Sequence, residues 1–427
     1  MTDGQASKAE TSPAPKGATS DTSSMWIKIG LLSFGGPAGQ IALMQNELVD
    51  RRKLVDEQTF LRGLNFSMLL PGPEAQQLAT WLGWRIGGLW GGMFAGLAFV
   101  LPGAVLMIGL AWLAASAGDT QWARWIFAGV QPVVVAIVAQ ALYRIGRKAL
   151  NGPAAIALAL SAFVAIYFLS APFPLIVALA GVIGLLLPHG PEQTKVDPAP
   201  PGSRGFALRV VLAFTAVVAA VYVSVRAVFG ADPFDGVAEL FLSAAFVTFG
   251  GAYAVLPYVA DLAVESYAWL TKAEMINGLA LAESTPGPLI LVNVYAGFFA
   301  GWDGPGSDPT IAILTAALAC FYTFAPSLML ILAAAPYVER LQNAPVARRA
   351  LAGVSAAVVG VIANLAVYFG VEALAPAEAT GPLGLDLVRT AIALLAAGLA
   401  FGLNVSMQYL VALGAVTGLA LGYGGLL

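Results

Sequence analysis

Thirteen mostly apolar stretches, each near the length a helix needs to cross hydrocarbon, fill almost the whole chain. They lie at about 25–46, 59–82, 84–114, 124–144, 154–170, 172–188, 206–229, 238–260, 275–300, 311–336, 351–369, 388–404 and 408–425. Inside a bilayer every backbone polar group must be satisfied by the protein itself, so stretches of this kind are helices. The fold expected is an all-α polytopic membrane protein. Composition agrees: 59% of the residues are hydrophobic and 11% charged, where a soluble domain carries about 25% charged. The 47 Gly and 26 Pro suit membrane helices, whose neighbours re-satisfy a broken backbone.

Composition also excludes function classes. One Cys and one His leave no disulfide framework, Cys/His metal cluster or paired-His haem. A net charge of −3 argues against a nucleic-acid partner. No GxxxxGK[ST] loop occurs, so no nucleotide site is expected. The expectation is a transporter or channel in the lipid bilayer, without cofactor, metal or enzymatic activity.

The chain repeats itself. Phe34-Gly35-Gly36 matches Phe249-Gly250-Gly251, and Pro71-Gly72-Pro73 matches Pro286-Gly287-Pro288, both at an offset of 215. Pro102 matches Pro326 and Ala128-Gly129-Val130 matches Ala352-Gly353-Val354, both at 224, the difference being taken up by the polar stretch 302–310. Two constant offsets joined by one insertion define an internal duplication. The organisation expected is a disordered tail over 1–24, a first repeat over 25–188, a polar linker over 189–205, a joining helix over 206–229 and a second repeat over 238–427. No basic stretch precedes a cleavage site, so no signal peptide is expected.

Loop charge orients the halves. Arg51-Arg52-Lys53 and Arg144/Arg147/Lys148 are basic where 115–121 is not; in the second half the loops around Asp261/Glu265/Glu274 and Glu372/Glu378/Asp386 are acidic, and Arg340/Arg348/Arg349 lies between them. Cytoplasmic loops carry excess Lys and Arg, so equivalent loops fall on opposite sides, as in inverted-topology repeats. Two counts fit. One has nine crossings with the four Gly/Pro-broken segments re-entrant; the other has thirteen full crossings. Both put the N-terminus in the cytoplasm and the C-terminus in the periplasm of a bacterial inner membrane. A homodimer is compatible with the sequence without being required by it.

Gly-Gly-Pro and Pro-Gly-Pro cannot continue a helix, and such breaks persist in a membrane only where buried in protein or lining an aqueous cavity. Pro37, Pro73 and Pro288 are each expected at the first position of the helix that follows. A helix N-terminus carries about half a positive charge, so four converging ends would balance a dianion without burying an Arg. A lone break is more often a kink than a site; four paired breaks flanked by polar residues point to a site. The candidate binding residues are Gly35, Gly36, Pro37, Gln40, Asn65, Pro71, Gly72, Pro73, Gly250, Gly251, Ser284, Thr285, Pro286, Gly287, Pro288 and Asn293. Glu74 and Glu283 flank the two PGP turns as candidate coupling or gating carboxylates, although Glu74 could instead serve only to cap its helix. Arg51–Lys53 read as orientation signals, and Lys28 and Arg85 as snorkelling side chains.

FGGPAGQIALMQNELVDRRKLV (34–55) and LLPGPEAQQLATWLGWRIGG (69–88) resemble the first domain of the chromate ion transporter family, and TFGGAYAVLPYVA (248–260) and AESTPGPLI (282–290) its second domain. The resemblance covers Met25 to the C-terminus and is to the long, two-domain bacterial form. It implies export of chromate from the cytoplasm, chromate resistance, and a link to sulfate as a related oxyanion. It places Gly35, Gly36, Pro37, Pro71, Gly72, Pro73, Glu74, Pro286, Gly287 and Pro288 in the family signature. Gln45 and Ser67 depart from it, standing where many members carry His and Cys. The alternatives are a transporter for sulfate or another oxyanion, and an anion channel of the same fold. A membrane-embedded enzyme or sensor lacks a visible nucleophile–base pair.

Overall fold

The computed structural model describes residues 19–118, 120–186, 204–304, 308–338, 345–376 and 384–426. The tail up to residue 18, the linker through residue 203 with His189, and the loop residues Arg340 and Glu378 lie outside the described residues. Every regular element among the described residues is helical. Five helices are long and apolar enough to span a bilayer; five further apolar helices have 10–17 residues, shorter than the sequence segments suggested.

The first half comprises α1 (Thr19–Leu31), α2 (Gly36–Gln45) running on into a π turn (Asn46–Arg51), α3 (Glu57–Ser67), α4 (Glu74–Ala117), α5 (Gln121–Ala149), α6 (Pro153–Leu169) and α7 (Phe173–Leu186). Then α8 (Arg204–Phe229) leads to α9 (Phe234–Val247) and α10 (Ala252–Ala260), which also ends in a π turn (Asp261–Ser266). There follow α11 (Lys272–Ser284), a 3-10 turn (Leu289–Leu291) leading into α12 (Val292–Ala300), α13 (Thr310–Ala334), α14 (Pro345–Leu374), α15 (Leu387–Gly402) and α16 (Met407–Tyr423).

Local chemistry sets the breaks. Gly35 (φ 85°) and Gly36 (φ 67°) interrupt the first segment, and Gly250 (φ 79°) and Gly251 (φ 99°) its second-half counterpart. These left-handed conformations are ones only glycine adopts without cost. Helix α4 is itself broken: Gly87 and Gly88 are non-helical. In the second half the chain leaves the helix at the same point, between α12 and α13, so the Gly87–Gly88 break stands where the second half carries its polar insertion. Helices α3 and α11 begin on matched caps. Asp56 accepts from the Thr59 amide at 2.8 Å, while Thr271, 215 residues on, forms a capping box with Glu274. Two hydrogen bonds from Thr59 hold the Asp56 carboxyl below its ordinary value. Asp56→Ala should therefore cost about 1 kcal/mol of stability. Because the folded-state value is lowered, the contribution is present above the ordinary aspartate range and is lost as pH falls through the folded value; thermal unfolding in detergent against pH reads this.

The halves interlock. Helix α5 packs on α15 and α16, and α14 on α6 and α7. Gly129 faces Gly414 and Gly418, while Gly353 faces Ala180 and Gly184, so backbones meet directly at both crossings. Helices α5 and α14 pack together and run antiparallel: Gly146 lies beside Val359, and Gly370 beside Val135.

The basic residues Lys28 and Arg51 clasp buried Glu47 at 2.9 and 2.7 Å, with Arg52 at 3.5 Å. Lys28 thus has an ion-pair partner, beyond the snorkelling the sequence suggested. Arg85 sits over the Trp81 ring, 6.0 Å from its centroid.

Candidate functional site

Three of the four breaks, and the residue after the fourth, meet at one place. A cavity of about 450 Å³ is lined by Pro37 and Ala38 opening α2, Gly72 and Glu74 opening α4, Gly250, Gly251 and Tyr253 at the start of α10, and Leu289 after the second PGP turn. Each half holds the turn of the other. The Gly72 amide donates to the Thr248 carbonyl at 2.8 Å, and the Gly287 amide to the Ser33 carbonyl at 2.9 Å. Ser33 and Thr248 are equivalent at the offset of 215, so the exchange is reciprocal. Buried Gln40 ties the two halves again, donating through Nε2 to the Gly287 carbonyl at 2.6 Å and to the Ser33 carbonyl at 3.2 Å. Gln77 donates to the Pro71 carbonyl at 2.7 Å.

Pro37 occupies the first turn of α2. Pro73 and Pro288 do not stand inside their helices: each is the extended residue just before, the N-cap of α4 and of the 3-10 turn. Their rings fix a φ near −70° that suits the approach to a helix, and Glu74 becomes the first helical residue. Among the polar candidates, Asn65 is exposed on α3 and outside the cavity wall. Ser284 and Thr285 donate to the carbonyls of Ala280 and Ala282 on their own helix, as hydroxyls in helices do when no better acceptor is near. Asn293 is buried and donates to Thr323 at 3.1 Å. Pro286 presents its carbonyl to Gly103 of α4, where no Cβ would fit. Glu283 is buried and accepts a hydrogen bond from the Tyr253 hydroxyl, which places that carboxylate one side chain behind the cavity wall.

Among the wall residues that the sequence did not offer as site candidates, three stand out. Arg144 and Lys148, on the last turns of α5, line the cavity together with Ser355 and Val358 of α14. A dianion here would therefore meet two cations as well as helix ends. Tyr253 is the third. Arg144 and Lys148 are four residues apart and so share a helix face. Arg147 instead lies over the Tyr143 ring, 5.7 Å from its centroid.

At the other end of α5 a second cavity, about 610 Å³, is lined by Arg124, Gln131, Glu274, Asn277, Asp303 and Glu372 among others. Gln131 donates to Asn277 at 3.1 Å, linking α5 to α11 at its floor. Gln131 and Arg144 are about 20 Å apart along the helix, so the two cavities open at opposite ends of the same element.

Five helices long and apolar enough to span a bilayer, broken turns drawn together at one cavity, and cavities toward both ends of one such helix are the features of an integral membrane protein. Comparison with known proteins is specific: the chromate transporter family model matches residues 21–185 and 236–419, and the chain belongs to that family. The chromate transport protein of Pseudomonas aeruginosa is 33% identical over 357 residues, 79% of this chain and 77% of that protein. A probable chromate transport protein of Synechococcus elongatus is 28% identical over 356 residues, 82% of this chain and 84% of the other. The chromate transport protein of Cupriavidus metallidurans is 25% identical over 342 residues, 79% of each. No solved structure matches the chain.

Proposed function

We propose that the protein is a secondary transporter that exports chromate, or a sulfate-like tetrahedral oxyanion, across the bacterial cytoplasmic membrane and so confers chromate resistance. The observation that carries this reading is the convergence of three broken turns, and of the residue after the fourth, on one cavity that also bears Arg144 and Lys148, in a chain of the chromate transporter family. Amides and dipoles at helix ends suit a dianion, and transporters of broken-helix design place such ends at the substrate.

The architecture we infer is two inverted-topology repeats, 25–188 and 238–427, joined by the linker and by α8. Antiparallel packing of the sequence-equivalent helices α5 and α14 supports the inversion. Short helices support re-entrance. Helix α11 has 13 residues and α12 has 9, so α11 reaches about 20 Å and α12 less, against hydrocarbon about 30 Å thick. Nine crossings and four re-entrant segments then place the N-terminus and the Arg144/Lys148 cavity on the cytoplasmic side and the C-terminus in the periplasm.

The test is uptake of labelled chromate into everted vesicles under an imposed gradient, with and without excess sulfate. Accumulation above empty-vector vesicles, reduced by sulfate, is expected; passive equilibration without accumulation would identify a channel, and no uptake by inserted protein would remove the function. Glu283 is the coupling candidate, because a buried membrane carboxylate bonded to a cavity-wall tyrosine can carry a proton between states. Glu283→Gln should flatten the pH dependence of uptake, and Tyr253→Phe should shift it. An unchanged profile in both would leave the pair a structural role.

A further inference from the structure

The charges on the cavity wall extend this reading to individual ligands. Elsewhere in the protein, cations that hold the fold are clasped onto a carboxylate, as Lys28 and Arg51 are onto Glu47. Arg144 and Lys148 differ. Both are exposed, both face the cavity, and among the described residues neither side chain is tied into an ion pair or hydrogen bond. The carboxylate that shares the cavity with them is Glu74, the first residue of α4. Glu74 is half-buried and has no hydrogen-bond partner among the described residues. Two uncommitted cations and one uncommitted carboxylate thus share a space large enough for a tetrahedral ion.

We propose that Arg144 and Lys148 are direct ligands of the transported oxyanion, and that Glu74 is the resident counter-charge which the oxyanion displaces. The inference rests on the transporter reading above. Its chemistry is that of charge matching. A guanidinium presents paired N–H donors that fit two oxygens of a tetrahedral oxyanion, while an ammonium acts as a point charge. Together the two cations balance a dianion. Glu74, at the N-terminus of α4, draws on the same positive field, so in the empty cavity it partly neutralises the wall. A bound dianion and an ionised Glu74 would leave the wall over-compensated, so binding drives the carboxylate out of the field or leaves it protonated. The other groups facing Glu74 are the open amide ends of α2 and α10 and the Tyr253 hydroxyl, the last already engaged by Glu283. None of them supplies a further full positive charge.

The experiment uses the full-length protein in lipid nanodiscs, with chromate binding measured by equilibrium dialysis at alkaline pH, where chromate is a dianion. Arg144→Gln and Lys148→Gln should each weaken binding by at least about tenfold, and Arg144→Lys by less, since it keeps charge but loses the paired donors. Glu74→Gln should bind chromate at least about threefold more tightly than the parent protein, because a competing anion is gone. A purely structural or orienting role for these residues does not predict tighter binding. Size-exclusion profiles identify any variant that fails to fold; Lys148→Gln and Glu74→Gln decide the matter if Arg144→Gln is lost. Parent-like affinity in both Gln variants of the cations, or no tightening in Glu74→Gln, overturns the inference while leaving the transporter reading intact. Failure of the parent protein to bind chromate or sulfate removes the transporter reading itself.

Discussion

Gly72→Val and Gly287→Val are each expected to reduce chromate uptake at least about tenfold while the protein still reaches the membrane. Both glycines hold φ values closed to a β-branched residue, 130° and 99°, which alone costs about 1–3 kcal/mol. Space is also lacking. A Cβ on Gly72 would stand 2.6 Å from Gln77 Nε2 and 2.6 Å from Ser327 Oγ, and one on Gly287 would stand 2.8 Å from Leu291 Cδ1. The strain falls on the turn and not on the spanning helices, because each glycine amide is bonded to the opposite half, at Thr248 or Ser33. Displacing either turn re-aims the start of the helix behind it and opens the seam between halves. The measurement pairs vesicle uptake with quantitative immunoblotting of membranes. Parent-level flux in both variants would show that the turns need not hold their shape.

The repeat motifs, the broken segments and the family were legible in the sequence because Gly and Pro report backbone demands directly. Gly35, Gly36, Gly250 and Gly251 could be matched across the halves before any geometry, and the cavity is built at those turns. The Gly87–Gly88 break was less visible, since no Pro marks it and the flanking residues remain apolar. The offset arithmetic nonetheless placed the second-half insertion at that point. Side-chain direction was not legible. Asn65, Ser284, Thr285 and Asn293 are polar and close in sequence to the turns, yet face outward or satisfy neighbours on adjacent or own helices. In the sequence Arg144 and Lys148 read only as orientation signals, because a basic cluster at a helix end is the usual signature of the cytoplasmic side. Tyr253 escaped because its equivalent at the offset of 215 is Ala38, so comparing the halves gave it no partner. Glu74 and Glu283 likewise are not equivalents; their equivalents are Leu289 and Met68. The matched motifs thus frame the cavity, whereas the side chains on its wall differ between the halves.

Gly129→Val and Gly353→Val should prevent accumulation of folded protein, the largest stability effect we expect from a single substitution here. At Gly129 an added Cβ would sit 2.6 Å from both Cα and N of Gly418; at Gly353 it would sit 2.7 Å from Cα and 2.9 Å from N of Gly184. These are backbone atoms, which cannot swing aside as a side chain can. Relief requires α5 and α16, or α14 and α7, to separate along their whole length. Close approach of small residues is what holds membrane helices together when lipid is as apolar as the side chains, so a destabilisation above about 3 kcal/mol is expected. Neighbouring glycines provide the control. Gly146 and Gly181 face only ordinary contacts, the nearest being Val359 Cγ1 and Val354 Cγ2, each at 3.6 Å. Alanine at either should therefore be neutral, or stabilising by up to about 1 kcal/mol, since an interior helical glycine carries extra chain entropy. Thermal unfolding and yield in detergent distinguish the sets. If Gly129→Val and Gly353→Val matched the alanine controls, the α5–α16 and α14–α7 crossings would have to be looser than their backbone contacts allow, and the interlock of the halves would not rest on them.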